Sequence, residues 1–435
     1  MATTAEARAE ERNSRRGLIA WAVYDWANSA FTTLIITFIF AAYFSKGIVK
    51  DDIEGQALWG YAAGTSAFVV AILSPIFGAI ADARGRRKPW LAAFTALCVV
   101  GTAALWFAEP SREWILFAFV AVAIANIGYE FGGVFYNAML GDLAKREALG
   151  RWSGWAWALG YCGGLVTLVI MLVGFVLPEQ PWFGVAKENA ANIRIVGPFV
   201  AVWFALFAIP IFLYTPDRPT TGVPVGTAIR DGIAKIASTF RNARQHTNAF
   251  RFLIARMIYN DGLVTVFAIG GVYAAGRFGM SQTELIQFGI LLNLTAGLGA
   301  FGFAWLDDHR GAKATVMIAL VGLAITSLGA VFAPTAGWFW AAGAALGIFV
   351  GPAQASSRSF MARIAPPAAS TEFFGLYGLS GRATAFAGPV TAAVVTQISG
   401  DQAVGLATVT VFFVVGLLLM LAVKEPPAEP APARG

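Results

Sequence analysis

"ADARGRRKPW", residues 81–90, is a short polar stretch between two long apolar runs. In it, Asp82, Gly85 and Arg87 follow a D-x-x-G-x-basic pattern. The spacing returns far along the chain in "DDHRGAKATV", residues 307–316, as Asp308, Gly311 and Lys313. Each copy follows the second apolar run of a set of six. "YDWANSAFTT" (24–33) and "YNDGLVTVFA" (259–268) open the two sets in similar fashion. One signature at the same topological place in both sets implies a parallel two-fold repeat.

Composition supports that reading. Of 435 residues, 57% are hydrophobic and only 13% charged, about half the charge of a soluble domain. Apolar runs of about twenty residues recur from end to end, long enough for helices to cross a bilayer. Strict alternation, the mark of a transmembrane barrel, does not occur. The expected fold is an all-α membrane protein of twelve transmembrane helices in two pseudo-symmetric six-helix bundles. The spans fall at 18–44, 57–81, 89–108, 113–141, 151–177, 195–214, 250–276, 284–306, 313–333, 336–361, 372–398 and 402–423. They divide the chain into an N-terminal segment (1–17), a first bundle (18–214), a linker (215–249), a second bundle (250–423) and a tail (424–435).

Charge placement orients these spans. Most of the 31 lysines and arginines fall on one side when both termini are placed in the cytoplasm, as the positive-inside rule requires. A bacterial inner-membrane location follows as an expectation. "MATTAEARAEERNSRR" lacks an apolar core and is not read as a cleaved signal. The Pro/Ala/Glu-rich tail is expected to be disordered. In the linker, Ile229, Ile233, Ile236 and Phe240 recur at helical spacing among basic residues. An amphipathic surface helix and a solvated linker helix suit that pattern equally. The net charge of +6 sits in short clusters between spans, so nucleic acid is not an expected partner. Cys98 and Cys162 lie inside apolar runs and read as small buried hydrophobes.

The loop "GAIADARGRRKPWL" resembles the signature between spans 2 and 3 of the major facilitator superfamily. "WAVYDWANSAF", "RMIYNDG" and "QASSRSFMARIAPPAASTEFFGLYGLSGRATAFAGP" are similar to a narrower family, the bacterial relatives of the yeast vacuolar amino-acid effluxer. The resemblance covers essentially the whole chain. It implies a secondary transporter, with neutral amino acids as the best-known substrates of the eukaryotic relatives.

No Walker-type phosphate loop, nucleophile elbow or His/Cys/carboxylate cluster occurs in the sequence, so neither ATP hydrolysis nor enzymatic catalysis is expected. No cofactor or metal is implied. The expected partners are a small-molecule substrate, protons as a coupling option, and the lipid bilayer; the chain is expected to be monomeric.

Asp25 stands eight residues into the first span, about 12 Å along the helix. Asn28, Ser29 and Thr32 follow on its face, and such a stripe must meet protein or water rather than lipid. Asn260 and Asp261 lie at comparable depth in span 7, and the two-fold aims both at a central cavity. Glu130, about 18 Å into span 4, shares its side with Asn126, Tyr129, Gly133 and Asn137. Arg382 is about as deep in span 11 and is the one deep cation of this reading. Either Arg382 receives a substrate carboxylate while an acid takes an ammonium group or a proton, or it is permanently paired with Glu130 or Asp261.

The loop signatures read as gates. Asp82 is placed to cap span 11 near Ser370 and Thr371, Arg86 to pair with Asp142, and Asp308 with Arg363 to act likewise in the second half. In the plainer reading these charges only set topology, and Gly85 and Gly311 serve the backbone. The paired glycines Gly128/Gly132, Gly160/Gly164 and Gly343/Gly347/Gly351 suit close helix packing. Trp152, Trp155 and Trp157 read as interfacial anchors. The functional expectation is alternating-access transport of neutral amino acids or similar zwitterions, with proton coupling through Asp25, Glu130 or Asp261 as an option. The rivals are a transporter of an amphipathic cargo (lipid or drug) and a non-transporting membrane receptor or scaffold.

Overall fold

In a computed structural model, residues 4–224, 226–227, 230, 246–280 and 282–425 are described. Most of the amphipathic segment expected within 215–249 lies outside them. Helices occupy all twelve expected positions. In the first half they are α1 (Thr4–Ala30), α2 (Asp52–Arg84), α3 (Lys88–Ala104), α4 (Ile115–Leu143), α5 (Leu149–Met171) and α6 (Val196–Tyr214). The second half holds α7 (Thr247–Phe278), α8 (Gln282–Arg310), α9 (Ala312–Val331), α10 (Ala336–Ile364), a two-piece α11 (Ser370–Ser380 and Ala387–Ser399) and α12 (Gln402–Leu421). Ten helices among the described residues are long and apolar enough to cross a membrane; α2 and the interrupted α11 fill the other two positions.

The first and eleventh helices depart from regular geometry for reasons visible in their residues. Beyond Ala30 the first helix continues as a π-helix over Phe31–Phe38. Ser29 and Thr32 donate their hydroxyls back to Asp25 O and Ser29 O, at 2.7 and 3.1 Å. Thr37 does the same to Thr32 O at 2.9 Å. Such back-bonding, in a run of β-branched residues, loosens the ladder.

Span 11, expected as one helix over 372–398, is instead broken by a turn at 381–386. Pro389 sits in the first turn of the second piece, where a missing N–H costs nothing. The carbonyls freed at the break are met from α7. Arg256 Nη1 donates to Tyr377 O at 2.6 Å, and Asn260 Nδ2 to Gly381 O at 2.7 Å. Irregular backbone at membrane depth is tolerated only with such partners.

Buried apolar side chains form two cores. Trp21, Tyr24, Phe31, Phe135 and Phe204 belong to the first, and Phe252, Tyr259, Leu320, Phe360 and Phe413 to the second. Each half therefore packs largely on itself, which leaves the polar stripes for the seam between them. Glycines set close approaches within and across the halves: a Cβ on Gly351 would lie 2.0 Å from Ala296 O, and one on Gly160 2.8 Å from Ser29 Oγ. Cys98 is buried as expected, whereas Cys162 is exposed on α5; an apolar run has an outer face as well as an inner one.

Candidate substrate cavity

Between the halves lies a cavity of about 720 Å³, walled by α1, α4, α5, α7, α8, α10 and α11. The stripe on α1 lines it as a unit, through Asp25, Asn28, Ser29 and Thr32. The Asp25 carboxylate accepts from Arg358 Nη1 at 2.8 Å. Arg358, on α10, also donates to Ser153 O at 2.6 Å and to Ser153 Oγ at 2.9 Å. Its guanidinium lies 5.0 Å from the Trp21 ring centre and 5.6 Å from that of Trp157. The buried acid thus has a cation partner in the other half, held by aromatic faces and a backbone carbonyl.

Arg358 is absent from the sequence reading, which counts a single deep cation. The available signal is its position in α10, six residues before the helix ends at Ile364 and between Ser357 and Ser359. That place resembles a topology-setting end charge, but the cavity reaches down to it.

A second pair crosses the seam higher up. Arg382, in the turn of α11, contacts the Glu130 carboxylate of α4. Asn126, Tyr129, Gly133 and Asn137 line the cavity beside Glu130. Asn260 lines it too, but Asp261 does not. Asp261 is buried where α7 packs on α11, its carbonyl 2.6 Å from where a Cβ on Gly388 would stand. Neighbouring helical residues point about 100° apart; here Asn260 takes the direction of the cavity and Asp261 lies on the side packed against α11. The sequence-based aim of Asp261 at the cavity is corrected accordingly. Of the three tryptophans read as anchors, Trp157 lines the cavity, and Trp155 packs against Phe301 and Trp305 of α8.

A smaller chamber of about 350 Å³ adjoins the first, sharing Thr32, Thr33 and Asn293 with it. Phe267, Phe288 and Phe339 give it an apolar wall. It lies toward the end of the bundle opposite the signature loops.

At the loop end the halves are tied together by reciprocal helix caps. Asp82 accepts from Thr371 N at 2.8 Å, Glu372 N at 3.0 Å and Thr371 Oγ1 at 2.7 Å, capping the start of α11. Asp308 accepts from Gly150 N at 2.9 Å and Arg151 N at 3.3 Å, capping α5, and pairs with Arg151 Nε at 2.5 Å. Carboxylates at helix starts meet unpaired amides and the positive end of the dipole.

The partners of Asp142 are Arg87 and Arg218, the latter donating to both carboxylate oxygens at 2.7 and 2.6 Å, and not the Arg86 expected from sequence. Arg87 reaches Asp142 Oδ2 at 2.5 Å, Thr371 Oγ1 at 2.7 Å and Ala138 O at 2.8 Å. Arg86 is mostly exposed, 3.6 Å from Asp217. The cause is Gly85, whose φ of +85° turns the chain so that the second arginine, not the first, points inward. Burial pushes the Arg87 guanidinium below its ordinary value, while the carboxylates of Asp142 and Asp82 pull it back up. In the second half, Arg363 sits 2.7 Å from Asp307 and 3.7 Å from Asp308. Gly311, with φ +88°, makes the matching turn.

The chain also closes each turn with an acid that follows the last helix of the half. Asp217 accepts from Arg87 N at 2.9 Å and Lys88 N at 3.2 Å. Glu425 accepts from Lys313 N at 2.8 Å. Neither residue was singled out from sequence, because both lie in stretches that read as linker and tail.

This architecture has known counterparts. The sequence model of the family described as "Vacuole effluxer Atg22 like" matches residues 44–430. The uncharacterized MFS-type transporter YxiO of Bacillus subtilis (strain 168) is 27% identical over 409 residues, 93% of this chain and 94% of that protein. Among solved structures, the fold is similar to that of the major facilitator superfamily transporter FucP in the outward conformation. The TM-score is 0.72 at 14% identity, over 95% of this chain and 99% of that one. The human organic anion transporter MFSD10 (TETRAN) gives a TM-score of 0.70 at 18% identity, covering 94% of this chain and 99% of that one. From its family match the chain belongs to the Atg22-like vacuole effluxer family, and its fold is that of the major facilitator transporters.

Proposed function

We propose that the protein moves a small zwitterionic solute, with neutral amino acids as the preferred class, by rocking of bundles 18–214 and 250–423 about the central cavity. The observation that carries this reading is the set of charges at the seam: Asp25 with Arg358, and Glu130 with Arg382. Both pairs join one half to the other, so each must open or exchange partners when the halves move. A solute bearing both an ammonium and a carboxylate offers replacement partners for both kinds of group. Protonation of Glu130 or Asp25 neutralises one side of a pair and provides a route to proton coupling.

Asp82, Arg87 and Asp142, with Asp308 and Arg363, act as the gate at the loop end, which faces the cytoplasm of a bacterial cell with both termini on that side. Gly85 and Gly311 allow the turns that bring these groups together. Reconstitution into proteoliposomes tests the reading. Labelled neutral amino acids should accumulate or leave faster than in protein-free vesicles, with a rate that responds to an imposed pH gradient. No movement of any amino acid, with or without the gradient, would overturn it.

The apolar chamber beside the cavity favours a second reading, an amphipathic cargo whose tail rests against Phe267, Phe288 and Phe339. Movement of a labelled lipid or hydrophobic cation by the same vesicles, without amino-acid transport, would select it.

A further inference from the structure

We infer that Arg256 is the residue that receives the anionic group of the cargo, and that the cargo competes for it with the end of a broken helix. The inference rests on the cavity being the cargo site and deepens that reading by assigning its anion receptor.

Five charged side chains line the cavity: Asp25, Glu130, Arg256, Arg358 and Arg382. Four are matched in cross-seam pairs. Among the described residues, Arg256 has no carboxylate partner and leaves the lining one positive charge in excess. A part-buried guanidinium that faces only neutral groups is an unfilled anion site in electrostatic terms.

Its geometry is already set. The Arg256 guanidinium carbon lies 3.6 Å from the Tyr377 ring centre, which holds the group flat. Its hydrogen bonds are made through Nη1 alone, to Tyr377 O at 2.6 Å and Ser380 Oγ at 2.9 Å. A guanidinium carries five donors in a rigid fork. Arg358, by contrast, is engaged by Asp25, Ser153 and the aromatic rings around it.

What Arg256 holds explains why filling the site matters. Tyr377 and Ser380 belong to the last turn of the first piece of α11, where carbonyls are unpaired and the dipole is negative. Arg256 is therefore a cation capping a half-helix inside the protein. A carboxylate offers it two charge-assisted hydrogen bonds in place of a neutral carbonyl. Drawing Arg256 toward the carboxylate releases one of the two α7 holds on the break, leaving Asn260 on Gly381 O. The turn so loosened carries Arg382, whose partner Glu130 is in the opposite half. Cargo binding is thus linked to a cross-seam pair through the backbone of α11.

The test measures the melting temperature of the purified full chain with three sets of probes: the neutral amino acids, their carboxamides, and the matching deaminated carboxylic acids. In the wild type, compounds with a carboxylate should stabilise and the carboxamides should not. Arg256→Gln should weaken binding of carboxylate compounds about tenfold or more. Arg256→Lys, which keeps the charge but loses the fork, should fall between the two and serves as the readout if the glutamine variant does not fold. Equal affinity of the variants and the wild type for a carboxylate compound overturns the assignment and leaves the zwitterion reading intact. Stabilisation by the deaminated acids but not by the amino acids overturns the zwitterion reading and supports Arg256. Binding of the carboxamides as tightly as of the acids, or no binding by any member, overturns the assignment.

Discussion

Asp25 of α1 and Arg358 of α10 meet at 2.8 Å across the seam between the two halves. The arginine is 3% exposed and the aspartate 14%, so the pair is buried yet borders the cavity. Removing one partner strands the other, a situation that costs a few kcal/mol in protein interiors. Asp25→Asn should lower stability by about 2–3 kcal/mol, the aromatic faces and Ser153 O still holding the arginine. Adding Arg358→Gln should recover part of that loss, and neither protein should transport. A double-mutant cycle on melting free energies, run beside vesicle flux, checks both statements; additive losses would show that the two residues do not act as a pair.

The neighbouring arginines of the first signature loop should separate sharply. Arg86→Ala removes an exposed side chain and should change stability by no more than about 0.5 kcal/mol. Arg87→Ala deprives Asp142 and Asp82 of a buried donor and should cost about 2–3 kcal/mol. Chemical denaturation of the two variants side by side decides the matter.

The two signature glycines should differ as well. A Cβ on Gly85 would lie 2.2 Å from Pro219 O, at a φ of +85° that disfavours L-residues. Gly85→Ala should therefore lose about 2 kcal/mol or more. Gly311→Ala meets the same backbone strain at φ +88°, but its nearest neighbour is the end of the Glu425 side chain at 3.0 Å, which can swing away. Its loss should stay nearer about 1 kcal/mol, as melting of the purified variants would reveal.

Asp82→Asn keeps the size of the capping group and weakens its hold on the amides of Thr371 and Glu372. The gate reading expects normal yield, a loss of about 1 kcal/mol, and faster thiol modification of Asn137→Cys, which lines the cavity. Unchanged modification kinetics would remove Asp82 from the gate.

Orientation can be checked in intact cells. Lys50→Cys should react with a membrane-impermeant reagent added outside, and Arg86→Cys should react only after the membrane is opened. The reverse pattern would invert the topology.

Much of this architecture is legible in the sequence because bilayer insertion demands long apolar runs, and every one of the twelve expected runs holds a helix. The stripe from Asp25 to Thr32 is legible for the same reason, since polar groups at that depth must face inward. What escapes is decided by direction rather than depth. Arg86 and Arg87 are adjacent and alike, and only the positive φ of Gly85 says which one enters the protein. Asn260 and Asp261 likewise share a depth but not a face. Arg358 looks like an end charge until the cavity is seen to reach it. The break in α11 lies in a run long enough to cross in one piece; the Gly388–Pro389 step hints at it, but the holds from Arg256 and Asn260 come from α7, far away in sequence.

The reciprocal caps carry one more consequence. Asp82 belongs to the first half and satisfies a helix start in the second, while Asp308 does the converse. Neither half is chemically finished alone: each lacks the carboxylate that its own helix start requires. Two fragments made by cutting the chain between α6 and α7 should therefore recognise each other when produced together in one membrane. The exchanged acids work as a tongue and groove that fixes the register of one piece on the other.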